Sequence, residues 1–526
     1  MKIEHKELIV VGAGPAGLSA AIEAAKSGVK AIVFDENSKP GGQLFKQIHK
    51  FFGSKEHKAK IRGFKIGQDL LQEAEKLGVE VVLNATVVGL YPEKEIIVKI
   101  GGEVIHYKAD AVLIATGASE NMVNFRGWTL PGVIGAGAAQ TMMNLHHIKP
   151  GNRVFMLGTG NVGLVVSFQL LQAGCEVVAL ADAAPKIGGY GVHASKVART
   201  GVPFYLSHTI KEVEGEDHVT GVTIAQVDEH FQFIPGTEKH FAVDTICVAV
   251  GLSPMAQLLK MDGIVMDDTK GRTVPKCDRT GATSIPGIYA AGDVAGIEEA
   301  SSAMIEGRMS GSAIAAYLGY LSSDIAEHRV DTLENSLSSL RQGMFAPENR
   351  GKKIETTEEG IAISQNLLKA GFVTDDEITR FPGFRKEMKV HPVLECTQNI
   401  PCNPCQSACA KGCISIGEHM TSLPISVDGS TCVNCGMCVA SCSGQAIFLV
   451  AEETREGFGE VTIPYEFLPL PAEGDGGFAL GRDGKKLCET TITRVRTSKA
   501  YDGTALVTME VPTEYIDKAR FYKKIG

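Results

Sequence analysis

Long apolar runs and excess positive charge are lacking in this 526-residue chain, and we expect no secretory leader. No run of about 20 apolar residues occurs, so the sequence predicts no transmembrane helix. The apolar stretch near the N-terminus is only LIVV, which is too short for a secretory signal, and we expect a cytoplasmic protein. The formal net charge of −9 gives no electrostatic reason to bind nucleic acid or an anionic membrane.

Apolar residues themselves are plentiful. Hydrophobic residues make up 44% of the chain and charged residues 21%, which is ordinary globular usage. The length predicts three or four domains of about 100–200 residues each.

Two segments share the order strand, glycine-rich turn, helix, strand and terminal acid. In the first, ELIVV precedes GAGPAG at 12–17, and the next strand ends at Asp35. In the second, RVFML precedes GTGNVG at 158–163, and the strand EVVALA ends at Asp182. Each segment is a βαβ unit, and these units predict doubly wound α/β domains.

The first turn has the glycines that a dinucleotide requires. Gly12 permits the tight turn, Gly14 lets the backbone approach the pyrophosphate, and Gly17 lets the helix pack on the strand. The helix N-terminus offers free N–H groups to the phosphates, and the terminal acid can accept hydrogen bonds from the ribose. The predicted contacts of this turn are Gly12, Gly14, Pro15, Ala16, Gly17, Asp35 and Glu36.

The second turn repeats this physics and predicts a nicotinamide cofactor. Asp182 favours NAD, because a 2′-phosphate would need an arginine at this place. Lys186 leaves NADP open, and the site is also compatible with a nucleotide that is bound without hydride exchange. The predicted contacts are Gly158, Gly160, Asn161, Val162, Gly163 and Asp182.

Nine of the 13 cysteines lie between Cys396 and Cys442, which indicates metal binding in a cytoplasmic protein. The run CVNCGMCVASC, which ends at Cys442, is the CxxCxxCxxxC pattern of bacterial ferredoxins. In such a run the fourth cysteine serves the other cluster. Ser443 stands where proline is usual.

The first half of the cysteine region is less regular, so its ligands are assigned from an internal repeat. The segment from Cys442 to Ile447 aligns with that from Cys409 to Ile414, which makes Cys409 the fourth-type ligand and leaves Cys413 as a spare or a substitute for Cys396. Zinc, or one cubane with a [2Fe–2S] or [3Fe–4S] site, stays open. We predict one [4Fe–4S] cluster on Cys396, Cys402, Cys405 and Cys442, and a second on Cys409, Cys432, Cys435 and Cys438.

GAGPAG, GGQ at 41–43, ATG at 115–117 and AAGDVAG at 290–296 resemble the two-dinucleotide-domain flavoproteins, which include thioredoxin reductase. The resemblance covers about residues 5–320 and implies FAD on the first turn. It implies that Asp293 binds the ribityl chain, although a simple helix cap is the alternative, and that the helix after it points at the flavin. The further cofactor contacts that it implies are Gly42, Gln43, Val87, Ala115, Thr116, Gly117 and Gly292.

Thioredoxin reductases carry a redox CxxC in the nicotinamide domain, whereas this chain has only the isolated Cys175 and Cys247 there. Disulfide reduction is therefore disfavoured. We expect these two cysteines, with Cys277 and Cys488, to be packing residues.

The whole layout resembles the alpha subunit of heteromeric amine and imino-acid dehydrogenases, through ECTQNIPCNPCQSAC and AAGDVAGIEEASSAMIEGRMSG. The resemblance implies a separate FAD-containing beta subunit, of amino-acid-oxidase type, that oxidises a secondary amine or amino acid. This chain, which shows no catalytic constellation of its own, would exchange those electrons with NAD or another acceptor. The alternatives are a stand-alone NAD(P)H:acceptor oxidoreductase, resembling the small subunit of glutamate synthase, and a non-enzymatic scaffold.

The predicted architecture combines two doubly wound α/β dinucleotide domains with a small α+β ferredoxin-like domain and a β-rich tail. Two helices are expected in the connector, near 332–341 and 357–370. The predicted ranges are 1–122 and 276–321 for the FAD domain, 123–275 for the NAD domain, 322–392 for the connector, 393–450 for the two-cluster domain and 451–526 for the tail.

Overall fold

The chain forms two compact units in this computed structural model. The first consists of Met1–Phe51, Glu56–Asn121 and Gly251–Arg341, and the second of Phe52–Lys55, Met122–Val250 and Gln342–Gly526. The residues that the structure describes are 3–269, 272–347, 350–353, 360–384, 390–427 and 431–525.

A seven-stranded mixed sheet forms the centre of the first unit. Its parallel part places Ile3–Val11 between Ala31–Phe34 and Glu103–Ile114. Ile288–Ala290 also pairs in parallel with Glu103–Ile114, so the chain returns to this sheet after the whole second dinucleotide segment. The remaining strands are Glu80–Val82, Ala85–Tyr91 and Glu95–Ile100.

Both faces of this sheet are covered, which explains the unbroken apolar run in its central strand. Leu8 and Val10 pack into a core on one face, and Ile9 and Val11 into a core on the other. The helices of the unit are Pro15–Lys26, Gly63–Lys76, Gln257–Met261, Ala300–Tyr317 and Ser323–Leu340.

The first connector helix is longer than predicted. It runs over Ser323–Leu340, because the side chain of Ser322 caps its N-terminus by accepting the N–H of Ile325 at 3.4 Å. The second predicted helix is seen as Gln365–Ala370, and residues 357–359 of that prediction lie outside the described residues.

The second unit contains a five-stranded parallel sheet. Its strand order is Phe204–Leu206, Glu176–Asp182, Arg153–Leu157, Thr245–Val248 and Val133–Gly135. Its helices are Ala136–His146, Asn161–Gln172 and Gly191–Ala198, and three antiparallel strands follow it, His208–Glu214, Gly221–Gln226 and Lys239–Ala242. With the first sheet this confirms the predicted α/β class.

The C-terminal part of the second unit is a seven-stranded antiparallel sheet. One of its strands, Ile447–Arg455, spans residues 450 and 451, and His391–Leu394 pairs with it. Its order is His391–Leu394, Ile447–Arg455, Phe458–Tyr465, Ala505–Pro512, Lys486–Arg496, Gly476–Leu480 and Phe521–Lys524.

The cysteine-rich segment emerges from the edge of this sheet. It contains two short helices, Pro404–Ala408 and Met437–Ser441, and a hairpin of Ile414–Ile416 and Pro424–Ser426. The helices contact each other.

Candidate functional site

The carboxyl ends of four parallel strands meet at one edge of the first sheet. Backbone hydrogen bonds join Gly12 N to Phe34 O at 2.8 Å and Ala115 N to Val11 O at 2.8 Å. Ala291 N donates to Ile114 O at 3.2 Å. The predicted FAD residues that follow these strands are thereby brought to one edge, where doubly wound folds bind ligands.

Each glycine of the first turn is needed for a different structural reason. Gly12 has a φ of +106°, and a Cβ there would overlap the carbonyl oxygen of Ala115. A Cβ on Gly17 would overlap the carbonyl oxygen of Gly12. Gly14 has an ordinary φ of −80° and no atom within 4 Å of where its Cβ would be, so its missing side chain leaves space beside the turn. The helix that begins at Pro15 has no side-chain cap and no acid in its first turn, so its N–H groups suit an anion.

Asp35 braces the turn. Its Oδ2 accepts the N–H of Ala13 at 2.7 Å, and its Oδ1 accepts the N–H and the side-chain amide of Asn37 at 2.8 and 2.9 Å. The carboxylate is buried, whereas the neighbouring Glu36 is exposed. Oδ2 of Asp35, which accepts one hydrogen bond, keeps a second lone pair that can accept a ribose hydroxyl.

Further predicted FAD residues lie near this edge. Gly42 lies in a short helical turn, Gly42–Lys46, where a Cβ would approach Gly14 Cα at 3.0 Å, and Gln43 follows it. Thr116 is held by its hydroxyl, which donates to Met255 O at 2.7 Å, and Gly117 follows with a φ of +71°. Val87 is half-buried in Ala85–Tyr91, at a bulge in its pairing with the next strand.

Asp293 does not cap the long helix that follows it. Its Oδ1 accepts the N–H of Glu298 at 3.2 Å, whereas the helix begins at Ala300 and has Glu299 as its N-cap. The N–H of Gly292 donates to Glu306 at 3.0 Å.

The second turn reproduces the first. Gly158 has a φ of +115° and would overlap Ala249 O, Gly163 would overlap Gly158 O, and Gly160 has no atom within 4 Å of its Cβ position. Asp182 Oδ2 accepts the N–H and hydroxyl of Thr159 at 2.8 and 2.7 Å. In both turns, therefore, the terminal acid accepts the N–H of the residue that follows the first glycine.

Sequence reasoning missed a second glycine pair, Gly188–Gly189. Gly188 N donates to the hydroxyl of Thr159 at 3.3 Å, and a Cβ on Gly189 would lie 2.8 Å from Asn161 N. Asn161 Oδ1 in turn accepts the N–H of Tyr190 at 2.8 Å, and Val162 is 40% exposed. The spacing was a usable signal, because each glycine pair begins six residues after the terminal acid of its βαβ unit.

The cysteine module is an internal repeat. In each half a five-residue helix is followed by a cysteine whose Sγ accepts the N–H four residues later, Cys413 N to Cys409 at 3.2 Å and Ala446 N to Cys442 at 3.3 Å. A strand then begins, at Ile414 in one half and at Ile447 in the other. Cys402, Cys405 and Cys409 each lie 33 residues before Cys435, Cys438 and Cys442.

The sequence assigns eight of these thiols to two sets, and the electrostatic partners of each thiol can be compared with that prediction. We name Cys396, Cys402, Cys405 and Cys442 the first thiol set. Burial, and then the charges of the other three members, raise the pKa of Cys402. Burial, followed by the charge of Cys442, raises the pKa of Cys405 to about 12, with a smaller contribution from Cys409 outside the set. The Cys402 thiol also receives a hydrogen bond from the backbone of Gly53, a partner that the sequence did not reveal.

We name Cys409, Cys432, Cys435 and Cys438 the second thiol set. Burial and then the charges of Cys432, Cys409 and Cys435 raise the pKa of Cys438. Cys435 is exposed.

Cys413 lies with the second thiol set, which argues against its substituting for Cys396. Its Sγ is 3.2 Å from Thr431 Oγ1, and its charge interactions are with Cys409 and Cys432. Cys396, in contrast, interacts with Cys442 and Cys405.

Among the described residues, no three His, Cys, Asp or Glu side chains form a group that could hold a metal ion. Each thiolate of a cubane binds a different iron atom, so its ligands stand further apart than those of one ion. The ligand roles therefore stay predictions.

The sequence profile of the pyridine nucleotide-disulphide oxidoreductases matches residues 6–307, more than half of the chain. The chain belongs to this family. The match covers both glycine turns and the return to the first sheet.

Individual relatives agree with the predicted resemblance to amine dehydrogenase alpha subunits. An opine oxidase subunit of Rhizobium meliloti is 28% identical over 65% of this chain and 68% of the relative. Hydrogen cyanide synthase subunit HcnB of Pseudomonas aeruginosa is 28% identical over 57% of this chain and 69% of its own. The structure of Lactococcus lactis thioredoxin reductase is 21% identical, has a TM-score of 0.50, and covers 60% of this chain and 100% of its own, which supports the fold alone.

This member of the family is an FAD-dependent oxidoreductase, as the sequence predicts, with domains of the type that binds flavin and nicotinamide cofactors. Cys175 and Cys247 are both buried; Cys175 lies just before the strand Glu176–Asp182, and Cys247 lies in the strand Thr245–Val248. Among the described helices, none combines the length and the apolar character needed to cross a membrane.

Proposed function

We propose that this chain is the electron-accepting subunit of a heteromeric dehydrogenase for a secondary amine or amino acid. A partner flavin subunit oxidises the substrate, of the proline, hydroxyproline, sarcosine or opine class. This chain then passes the electrons to NAD or another acceptor through its own FAD and two [4Fe–4S] clusters. The observation that carries the proposal is the sorting of eight cysteines into two thiol sets in a chain with two dinucleotide turns.

The two turns fit their cofactors. The open space beside Gly14 and the uncapped helix behind it suit the FAD pyrophosphate, with Asp35 and Glu36 at the ribose. Gly160 offers the same space at the second turn, with Asp182 in place for a free 2′-hydroxyl. Bound flavin would exchange electron pairs with nicotinamide and single electrons with clusters.

The donor chemistry of the cysteine module fits iron. Each thiol set offers four thiolates, which is the ligand count of a [4Fe–4S] cluster, and the sets exchange their fourth-type cysteines as in bacterial ferredoxins. Hydrogen bonds from backbone N–H groups to Cys409 and Cys442 suit thiolate sulfur.

The partner follows from the relatives' names and from this chain's own residues. The opine oxidase and hydrogen cyanide synthase relatives are both named as subunits, and the match covers about two thirds of each. This chain shows no acid–base or nucleophilic constellation at either described turn. We therefore place substrate oxidation on a separate subunit, and a cytoplasmic location remains our prediction.

Anaerobic purification of the full chain tests the cluster assignment. We expect about eight iron atoms and about eight acid-labile sulfides per chain, with FAD bound. Cys488→Ser is the matched control, because Cys488 is half-buried but lies outside both thiol sets and should keep all the iron. An iron-free protein would contradict the proposal.

Co-expression with a neighbouring flavoprotein gene tests the partner. We expect amine-dependent reduction of a dye only when both chains are present. Robust amine oxidation by this chain alone would contradict the assignment. Steady NADH oxidation by the chain alone, with no partner retained, would favour the stand-alone reductase. The observation that supports this second candidate is the second glycine turn, which has the same hydrogen bonds and glycine positions as the first.

The paired variants Gly14→Ala and Gly160→Ala separate the two nucleotide sites. Both glycines have ordinary φ values, −80° and −66°, and space for a Cβ, so both variants should fold. Gly14→Ala should lose FAD, and Gly160→Ala should keep FAD but weaken nicotinamide binding at least about tenfold. Loss of FAD in Gly160→Ala would contradict the assignment.

A further inference from the structure

Arg199 is a buried cation that forms no ion pair with a carboxylate of the described residues. It directly follows the helix Gly191–Ala198 and is 5% exposed. Its guanidinium donates to Gln445 O at 2.9 Å and to Gln445 Oε1 at 3.3 Å, both of which are neutral, and its Nε is buried without a hydrogen-bond acceptor. Burial lowers the pKa of Arg199 to about 10, which still leaves it charged at neutral pH.

The nearby acid is already shared by two other arginines. A small cavity beside Arg199 is lined by Glu395, Arg482 and Arg520. Glu395 accepts Arg482 Nε at 3.1 Å and Arg520 Nε at 2.5 Å. Asp375 is a half-exposed second partner of Arg482, and the charge of Asp517 also acts on Arg520. Among the described residues, none of these acids forms an ion pair with Arg199, whose guanidinium bonds are to Gln445.

The remaining negative partner of Arg199 is the thiol loop that ends the first set. Gln445, its hydrogen-bond partner, lies between Cys442 and Ala446, whose N–H donates to the Cys442 sulfur. Gln445 N also donates to Cys442 O at 3.1 Å, so the residue that holds the guanidinium is itself bonded to the backbone of Cys442. The helix that precedes Arg199 packs on this loop, because a Cβ on Gly444 would meet Val192 at 2.7 Å.

We propose that Arg199 is the buried counter-charge of the first cluster and raises its reduction potential. The inference rests on the proposed function, because it needs a cluster on the first thiol set. One electron, supplied by reduced flavin, makes the cluster with its four thiolates one unit more negative. A fixed cation in a buried setting stabilises that added charge, and nearby charge is among the protein's main means of setting cluster potentials.

The second thiol set has a weaker counterpart, Arg496. Its guanidinium donates to Asn434 O at 2.6 Å, inside the CxxC loop between Cys432 and Cys435. Arg496 is half-buried, and Cys435 is exposed. Solvent screens this cation more than Arg199, so its effect on the second cluster should be smaller.

The experiment is a redox titration of the full-length protein, with its partner subunit where one co-purifies, followed by electron paramagnetic resonance. The Cys435→Ser variant, which should retain only the first cluster, assigns the signals. Arg199→Gln should move the first-cluster midpoint to a more negative potential and leave the second unchanged. Arg199→Lys should restore most of the wild-type value, whereas Arg496→Gln should shift the second cluster alone, and by less.

A second variant covers the case in which Arg199→Gln does not fold. Gln445→Glu has the same shape and places a negative charge on Arg199, so it should also make the first midpoint more negative. An unchanged first midpoint in whichever of the two variants folds, or an equal shift of both clusters, would overturn the inference. An iron-free wild-type protein would overturn the proposed function instead.

Discussion

The two halves of the cysteine module share one backbone pattern but lie in different surroundings. Both have a five-residue helix, a sulfur that accepts an N–H four residues later, and a strand. Three members of the first thiol set, Cys396, Cys402 and Cys442, pack against an apolar group that includes Phe52 and Tyr190. The second has an exposed member, Cys435, beside Val433, which is 59% exposed.

The two halves of a repeat can thus keep the same backbone pattern while their surroundings diverge. Fixed charges act strongly in a buried site and weakly near water. The first half should therefore respond to Arg199 and its neighbours, and the second to solvent near Cys435.

The largest expected effect comes from matched substitutions at equivalent ligands, Cys402→Ser and Cys435→Ser. Each should lower the iron content from about eight to about four atoms per chain while FAD stays bound. Cys402→Ser should also lower the melting temperature more, because Cys402 packs in the apolar group and Cys435 is exposed. Iron analysis, absorbance of bound flavin and thermal melting check this. Loss of all iron in either variant would contradict the prediction that the two clusters bind independently.

Glu395→Gln should give the next largest effect, a loss of about 3–5 kcal/mol in the free energy of unfolding. Burial opposes ionisation of Glu395, but Arg482 and Arg520 outweigh it and hold its pKa at about 2. The substitution leaves both guanidinium groups buried without their shared partner. Denaturant unfolding measures the loss.

The control for Glu395→Gln is Glu510→Gln. Glu510 pairs with the exposed Arg455 at 2.7 Å, and pairs of this kind contribute little. If the two variants lost equal free energy of unfolding, the buried ion pairs of Glu395 would contribute no more to stability than an exposed pair.

Local spacing made much of the candidate site predictable. The glycine turns and their terminal acids could be found because each requirement falls within about 30 consecutive residues. The grouping of thiols could be inferred because the ferredoxin pattern forces an exchange between the halves. The predicted resemblance and fold class are confirmed, whereas the ligand roles and domain boundaries stay predictions.

Features built from distant residues could not be predicted. The charge group joins Arg199, Glu395, Arg482 and Arg520, which have no common spacing in the sequence. Gly53, whose backbone forms a hydrogen bond with the Cys402 thiol, lies far from it in the sequence, in the part of the chain that contains predicted FAD residues. The strand that crosses residue 450 was not anticipated, because a strand signal does not reveal which sheet the strand joins.

A smaller effect is expected from Asn399→Ala, which probes a position where one half has a predicted cysteine ligand and the other has asparagine. Asn399 lies 33 residues before Cys432, is buried, and donates to Thr421 O at 2.7 Å. Its loss should cost about 1–3 kcal/mol and no iron. Cys432→Ala, the matched variant, should lose one cluster. Iron loss in Asn399→Ala would mean that the asparagine supports the first cluster directly.

Cys413→Ala should have the smallest effect. It tests the alignment of the two halves directly, because the other half has an alanine, Ala446, at the equivalent position. The hydrogen bond to Cys409 comes from the backbone N–H and survives the substitution. The contacts of the thiol with Thr431, Cys409 and Cys432 are lost, which should cost about 1 kcal/mol and leave both cluster signals intact. If one signal disappeared, Cys413 rather than Cys409 would be the ligand, and the alignment of the two halves would be wrong at this position.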